Sequence, residues 1–262
     1  MRSAAAMLLA DSGLSQGALP LLLRAQTTAR TDTEKLALDL ALARVYQDLE
    51  QWDKLESVGA RLAAAWPNSG LAFHFQQWAR IQQKRWDEVR AAANERLARL
   101  PEDITATRVL VESADARSAF GEMMQVMEPV IASARATSSE YNEYAWMALL
   151  QRPVTDKAAE YARQAYDETQ GRENAIAHTL ACVYAASGKP REARDLLIKS
   201  QRVGATDELD DGSWYGFGLI AEAYGDVESA REYYGRVSRP KKAIIASSSL
   251  YAMAQQRIVA LR

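Results

Sequence analysis

The residues best suited to chemistry are His178 and Cys182, which lie four positions apart and would share one face of a helix. An imidazole and a thiolate can together hold a soft metal or form a nucleophile with its base. Two ligands are too few for a stable zinc site, and the other histidine, His74, lies far away in the sequence. The pair also lacks an identifiable orienting carboxylate. We therefore expect neither a metal nor a cofactor.

Two pairs of carboxylates, Glu112 with Asp115 and Glu222 with Asp226, have a spacing that could serve acid–base catalysis. Such pairs arise by chance in a chain with 34 acidic residues. The sequence contains no Gly-rich phosphate loop, nucleophile elbow or cluster of metal ligands. The sequence therefore predicts a protein that is not an enzyme.

The elements that would position these side chains repeat along the chain. Trp52 and Pro67 recur as Trp86 and Pro101, each displaced by 34 residues. A fixed period of this size, without a strand-like run inside it, indicates stacked helical repeats. Each Pro marks a boundary between repeats because it cannot continue a helix.

The composition of the 262 residues supports this interpretation and excludes several function classes. The chain is 48% hydrophobic with only 13 Gly and 7 Pro, which predicts an all-α protein. Its net charge of −2, with cations and anions interspersed, argues against nucleic acid as a partner. No apolar run approaches the ~20 residues that span a bilayer, so we expect no membrane insertion.

The pattern of small and large residues resembles the tetratricopeptide repeat family over nearly the whole chain. The residues that carry the resemblance are Leu42, Ala43, Tyr46, Trp52, Pro67, Leu180, Ala181, Tyr184, Gly188, Ala193, Trp214, Phe217, Gly218, Gly225, Ala230 and Tyr234. The resemblance implies a right-handed α-solenoid of about seven helix-turn-helix repeats. Ala43, Ala181 and Gly218 are then small because a paired helix crosses there, and Ala193 and Ala230 are small for the reciprocal reason.

We expect one superhelical domain over residues 1–262. The repeats are placed at residues 1–33, 36–69, 70–103, 104–137, 138–173, 174–207 and 211–240, with a capping helix in 243–262. Ser3–Leu9 is interpreted as the first helix rather than a signal peptide, and the chain as a piece of a longer protein. A polar linker covers 204–212, and the turn of the fifth repeat carries an insertion of about one residue.

The third repeat departs from the family pattern. Gln76, Gln77 and Arg80 stand where large and small apolar residues are expected. Either the first helix of this repeat is rotated or the repeat is loosely packed.

The first helices of such a stack line its concave wall, so side chains one turn apart on each of them should converge on one groove. The predicted groove residues are Arg44, Gln47, Asp48, His74, Trp78, Gln82, Arg108, Glu112, Asn142, Trp146, His178, Cys182, Tyr215 and Glu222. This mixture of aromatic, amide and charged groups suits an extended peptide. Trp78 and Trp146 have an alternative interpretation as packing between repeats. Trp52 and Trp86, at the turns, are interpreted as structural.

We therefore expect a protein–protein or peptide-binding scaffold without catalysis. The carboxylate clamp known in the family is not reproduced, because Leu40 and Leu71 replace its basic groups. As an alternative, some segments resemble the repeat tails of large bacterial transglutaminase-like proteins, namely Thr179–Tyr184, Trp214–Gly218, Ala221–Glu222 and Tyr251–Arg257. That resemblance implies a regulatory or substrate-presenting tail without its own ligand, cut from a parent that is exported or membrane-associated.

Overall fold

A computed structural model describes residues 14–133, 136–201, 209–240 and 244–262. Regular secondary structure in these ranges is entirely helical, which confirms the expected all-α class. The helices are α1 (Ser15–Gln26), α2 (Asp32–Asp48), α3 (Trp52–Ala65), α4 (Gly70–Gln82), α5 (Trp86–Arg99), α6 (Ile104–Ala116), α7 (Phe120–Ala132), α8 (Ser138–Ala148), α9 (Asp156–Glu168), α10 (Asn174–Ala186), α11 (Pro190–Gln201), α12 (Asp211–Ala223), α13 (Val227–Gly235) and α14 (Leu250–Ala260). The expected helix Ser3–Leu9 and linker residues 204–208 lie outside the described residues.

The chain divides into two compact units, unit 1 (Met1–Ser113) and unit 2 (Ala114–Arg262). In unit 1, α1 to α4 each pack against the next helix along the chain. α3 and α4 approach each other closely at Gly59, where an added Cβ would lie 2.8 Å from the backbone nitrogen of Gln76. A glycine is required there because the two helix backbones nearly touch.

The two helices of most pairs are connected by a three-residue turn. The backbone conformation of these turns is conserved along the chain, although their sequences differ. The central residue of each turn has a positive φ: Glu50 (54°), Lys84 (60°), Ser118 (56°), Gly188 (75°) and Gly225 (81°). The first three are spaced by the same 34 residues as the Trp and Pro markers. Because only two of the five are glycine, residue type alone does not reveal this regularity.

The turn of the fifth repeat is an exception. Residues 149–155 separate α8 from α9, a connection of seven residues in place of three. The expected insertion of about one residue is therefore wrong. The change in period is smaller than the extra length because α8, with 11 residues, is shorter than the 13-residue α10 and α12.

In unit 2 the first helices of successive repeats, α8, α10, α12 and α14, pack in a row, with the second helices beside them. Ala181, Ala193 and Ala230 are fully buried at the crossings between paired helices. A Cβ on Gly218 would lie 2.5 Å from Cδ1 of Tyr234, so only glycine fits at that crossing. These positions agree with the spacing of small residues in the sequence.

The helix that the sequence predicts as a cap is α14. α14 packs on α12 and α13 and buries Met253 and Ala254 in the core of unit 2. Its N-cap is Ser249, whose side chain accepts a hydrogen bond from the backbone N–H of Ala252. α14 therefore occupies the place that the first helix of another repeat would take.

Candidate functional site

In unit 1 the predicted inner-face residues of α4 and α6 meet. The imidazole Nε2 of His74 lies 3.1 Å from Oε2 and 3.2 Å from Oε1 of Glu112. The imidazole also stacks on the indole of Trp78, with ring centroids 5.9 Å apart. About a quarter of each side chain of the His74–Glu112 pair is exposed, 24% and 25% respectively. The helix register therefore places an aromatic pair beside a carboxylate on a solvent-accessible face.

Trp78 has features of both interpretations that the sequence leaves open. It is partly buried and packs against the core of unit 1, while its ring also stacks on His74. Gln82 follows one turn later on α4 and is partly buried, and Arg108 precedes Glu112 by one turn on α6 and is exposed. We define the α4–α6 face as His74, Trp78, Gln82, Arg108 and Glu112.

The remaining predicted residues of unit 1 lie on α2. Arg44 and Asp48 are exposed and Gln47 is partly buried. The carboxylate of Asp48 accepts a hydrogen bond of 2.7 Å from the hydroxyl of Ser15 on α1. Asp48 thus already joins two neighbouring helices.

In unit 2 the helix register brings together three predicted aromatic residues from successive first helices. The ring of Trp146 on α8 lies 5.7 Å from that of His178 on α10 and 5.9 Å from that of Tyr215 on α12. Tyr215 is fully buried, and its hydroxyl has no hydrogen-bond partner among the described residues. Burial raises the pKa of Tyr215, so its hydroxyl stays neutral. Because it lies in the core, Tyr215 cannot contact a ligand directly here.

His178 and Cys182 form a closed internal contact. The Sγ atom of Cys182 lies 3.6 Å from Nε2 of His178, and the same nitrogen lies 2.8 Å from the carbonyl oxygen of Gly212. Burial opposes protonation, but the sulfur and the carbonyl raise the pKa of His178 to about 9. Cys182 is completely buried, so no substrate could reach its thiol in this arrangement. The described residues contain no group of three potential metal ligands.

The most consequential contacts in unit 2 come from its own C-terminal residues, which sequence reasoning assigned only to a cap. The indole N–H of Trp146 donates a 2.9 Å hydrogen bond to the carbonyl of Ser248. Glu222 accepts hydrogen bonds from the guanidinium of Arg257 on α14, through both oxygens, and a 2.8 Å bond from the Tyr234 hydroxyl. Trp146 and Glu222 are thus engaged by the chain itself. Asn142, one turn before Trp146 on α8, has a buried Oδ1 that accepts no hydrogen bond from the described residues.

Hydrogen bonding outweighs burial in setting the charge of Glu222. Burial alone raises the pKa of this carboxyl, but the hydrogen bonds from Arg257 and Tyr234 bring it below its ordinary value of 4.5. Glu222 is therefore ionised at neutral pH and pairs with a permanent cation. Its role in this structure is to hold α14 in place.

The polar substitutions of the third repeat border an open cleft in unit 1. The cleft has a volume of about 320 Å³, and Gln76, Gln77 and Arg80 are among its lining residues. Arg80 donates a 2.8 Å hydrogen bond to Glu56, so its charge is neutralised across the α3–α4 contact. Of the two interpretations of these residues, the cleft favours looser packing.

Arg96 also lines this cleft, and sequence reasoning missed it. Its side chain is 4% exposed and pairs with Asp103 at 2.7 Å. It also donates to the carbonyl of Asn68 at 2.9 Å and lies 4.8 Å from the centre of the Phe73 ring. The sequence places Arg96 in the repeat after that of Pro67, but this spacing does not show that the two segments are in contact.

The comparisons with known proteins bear on the fold. A tetratricopeptide repeat protein from Parabacteroides merdae has a similar structure, with a TM-score of 0.62 and 13% sequence identity over 97% of each chain. This chain has the tetratricopeptide repeat fold. No protein-family model matches its sequence, and no curated protein matches it. The resemblance to transglutaminase-like tails finds no support in these comparisons.

The described helices can be compared with the length and hydropathy that a membrane-spanning helix needs. None of them is both long enough and apolar enough to cross a bilayer.

Proposed function

We propose that the chain is a protein-interaction module that binds an extended peptide on the α4–α6 face. The observation that carries this proposal is the contact of His74 with both Trp78 and Glu112 on a partly exposed surface. Two adjacent first helices contribute to it, and its rotamers are held by stacking and a hydrogen bond. A preorganised surface of this kind loses little conformational entropy when a ligand binds.

The chemistry of the face defines the ligand that fits it. The stacked rings of His74 and Trp78 offer a flat surface for an apolar or aromatic side chain. Gln82 follows Trp78 by one turn on α4, Glu112 contacts His74, and Arg108 precedes Glu112 by one turn on α6. These side chains offer donors and acceptors for a peptide backbone. The ligand we propose is therefore a peptide with one large apolar residue flanked by polar residues. Tyr215, Glu222 and Trp146 are left out because the fold buries or engages them.

The tetratricopeptide repeat fold supports the interaction role, since stacked helix pairs create extended binding surfaces. The buried thiol of Cys182 and the paired state of Glu222 argue against use of these groups in catalysis. The peptide binding proposed in this subsection therefore rests on the residues of the α4–α6 face.

Selection of peptides from a random displayed library tests the proposal. Peptides enriched on the wild-type protein should lose at least about tenfold in affinity for Trp78→Ala, because truncation of a central aromatic removes a binding hot spot. The matched control is Trp66→Ala, which removes an exposed tryptophan outside this face, at the C-cap of α3. Equal affinities of all three proteins, with unchanged circular dichroism, would refute binding at the α4–α6 face.

A further inference from the structure

Residues 244–249, here named the C-terminal strap, contact the rest of unit 2 mainly through polar groups. Asp115, at the end of α6, accepts a 2.6 Å hydrogen bond from the Ser247 hydroxyl and a 2.8 Å bond from the backbone N–H of Ser248. The Ser248 hydroxyl donates to the other oxygen of the same carboxylate. The backbone N–H of Ser247 donates to the carbonyl of Asp115 at 3.3 Å. With Trp146 holding the Ser248 carbonyl, side chains of the scaffold bind the strap much as they would bind a peptide.

The strap and the helix that follows it are attached in different ways. α14 is anchored by buried Met253 and Ala254 and by the ion pair of Arg257 with Glu222. Every residue of the strap is only partly buried. Segments with few buried apolar contacts open at lower free energy than the core does. The strap can therefore leave its site while α14 stays docked.

Asp115 defines what can replace the strap. Asp115 is only 8% exposed. No arginine, lysine or histidine among the described residues forms an ion pair with its carboxylate. Its hydrogen bonds come from two hydroxyls and one peptide N–H. A buried carboxylate that loses its donors is strongly disfavoured, so a replacement must bring the same donors. A phosphorylated serine would instead place two negative charges beside the carboxylate.

Asn142 supplies a second observation on the same face. Its Oδ1 is buried and lacks a donor, although Trp146, one turn further on α8, is satisfied by the strap. The strap therefore uses only part of the hydrogen-bonding capacity of this surface. An incoming peptide with an additional donor would satisfy this acceptor as well.

We propose that Asp115, Asn142 and Trp146 form a second peptide site, specific for an extended segment with two adjacent unmodified serine or threonine residues, and that the strap is its resident competitor. The site lies entirely in unit 2 and does not depend on the α4–α6 face. Binding of such a segment displaces residues 244–249 and leaves the core of unit 2 intact.

The test uses the full chain and a fluorescent synthetic peptide with the sequence of residues 244–250, followed by anisotropy. The double variant Ser247→Ala/Ser248→Ala removes the two strap hydroxyls that bind Asp115, which weakens the attachment of the strap. The peptide should therefore bind this variant about tenfold more tightly than wild type. The same peptide phosphorylated at the position of Ser248 should bind at least about tenfold more weakly. Addition of Asp115→Ala to the double variant should abolish binding. Trp78→Ala should leave it unchanged, which separates this site from the first.

Hydrogen exchange on the wild-type protein provides a readout that does not require the variants to fold. Saturating peptide should accelerate exchange of the Ser248 amide and leave the amides of α14 protected. Equal peptide affinity of the double variant and wild type overturns the proposal, as does equal affinity of the phosphorylated and unmodified peptides. If the variants do not fold, unchanged exchange at Ser248 in the presence of peptide overturns it.

Discussion

Arg257 on α14 binds both carboxylate oxygens of Glu222 on α12, and only 18% of each side chain is exposed. This pair joins α14 to the helix pair formed by α12 and α13. The Tyr234 hydroxyl completes the coordination of the same carboxylate from α13. A single acidic residue thus connects three helices at the end of unit 2.

Arg257→Ala should destabilise unit 2 by about 2 kcal/mol, because it leaves a partly buried carboxylate without its cation. Urea unfolding monitored by circular dichroism measures the change. Arg257→Lys keeps the charge but loses the two-pronged geometry, so it should fall between wild type and the alanine variant. Stability equal to wild type in the alanine variant would mean that the pair does not hold the cap.

The same pair predicts a dependence of stability on pH. Because the folded pKa of Glu222 is lower than its ordinary value of 4.5, the carboxylate contributes stability above about pH 4.5. This contribution is lost as the pH falls through the folded pKa. Glu222→Gln should therefore be less stable than wild type at pH 7, and the difference should shrink at pH 3. A difference that is the same at both pH values would contradict the prediction.

Gly218→Ala should cost about 1–3 kcal/mol, because the new methyl group overlaps a tyrosine ring that is itself held in place. An added Cβ lies 2.5 Å from the ring of Tyr234, which is fully buried and bonded to Glu222. Gly121→Ala on α7 is the matched control, since its Cβ would meet no atom within 4 Å. The control should be neutral or more stable by up to about 1 kcal/mol. Thermal melting of both variants decides between these outcomes.

Arg96→Ala should destabilise unit 1 by about 3 kcal/mol, since it leaves Oδ2 of Asp103 and the carbonyl of Asn68 without their donor. The comparison variant is Arg163→Ala, which breaks an exposed pair with Asp167 and should cost less than about 1 kcal/mol. Both costs can be measured by chemical denaturation. Similar values for the two arginines would show that Arg96 is not structurally important.

Much of the candidate surface follows from helix periodicity. The contacts of His74 with Glu112, and of Trp146 with His178, join residues that the sequence period places on adjacent first helices. Periodicity does not report how deeply a position is buried. Tyr215 has the same register as exposed inner-face residues, yet α12 lies beneath α14 and Tyr215 is in the core. Arg96 was missed because an arginine in a helix normally extends into solvent.

The sequence by itself determined the class of structure, because the period of small and large residues acts locally. Each Ala or Gly that permits a crossing lies within one repeat of its partner, as Gly218 does with Tyr234. The tertiary structure alone decided which of the predicted groove residues stay open. Asp115 and Ser248 are separated by 133 positions, and no local pattern records that the chain returns to cover Trp146. Such contacts depend on where α14 docks, and that position is set by its packing on α12 and α13.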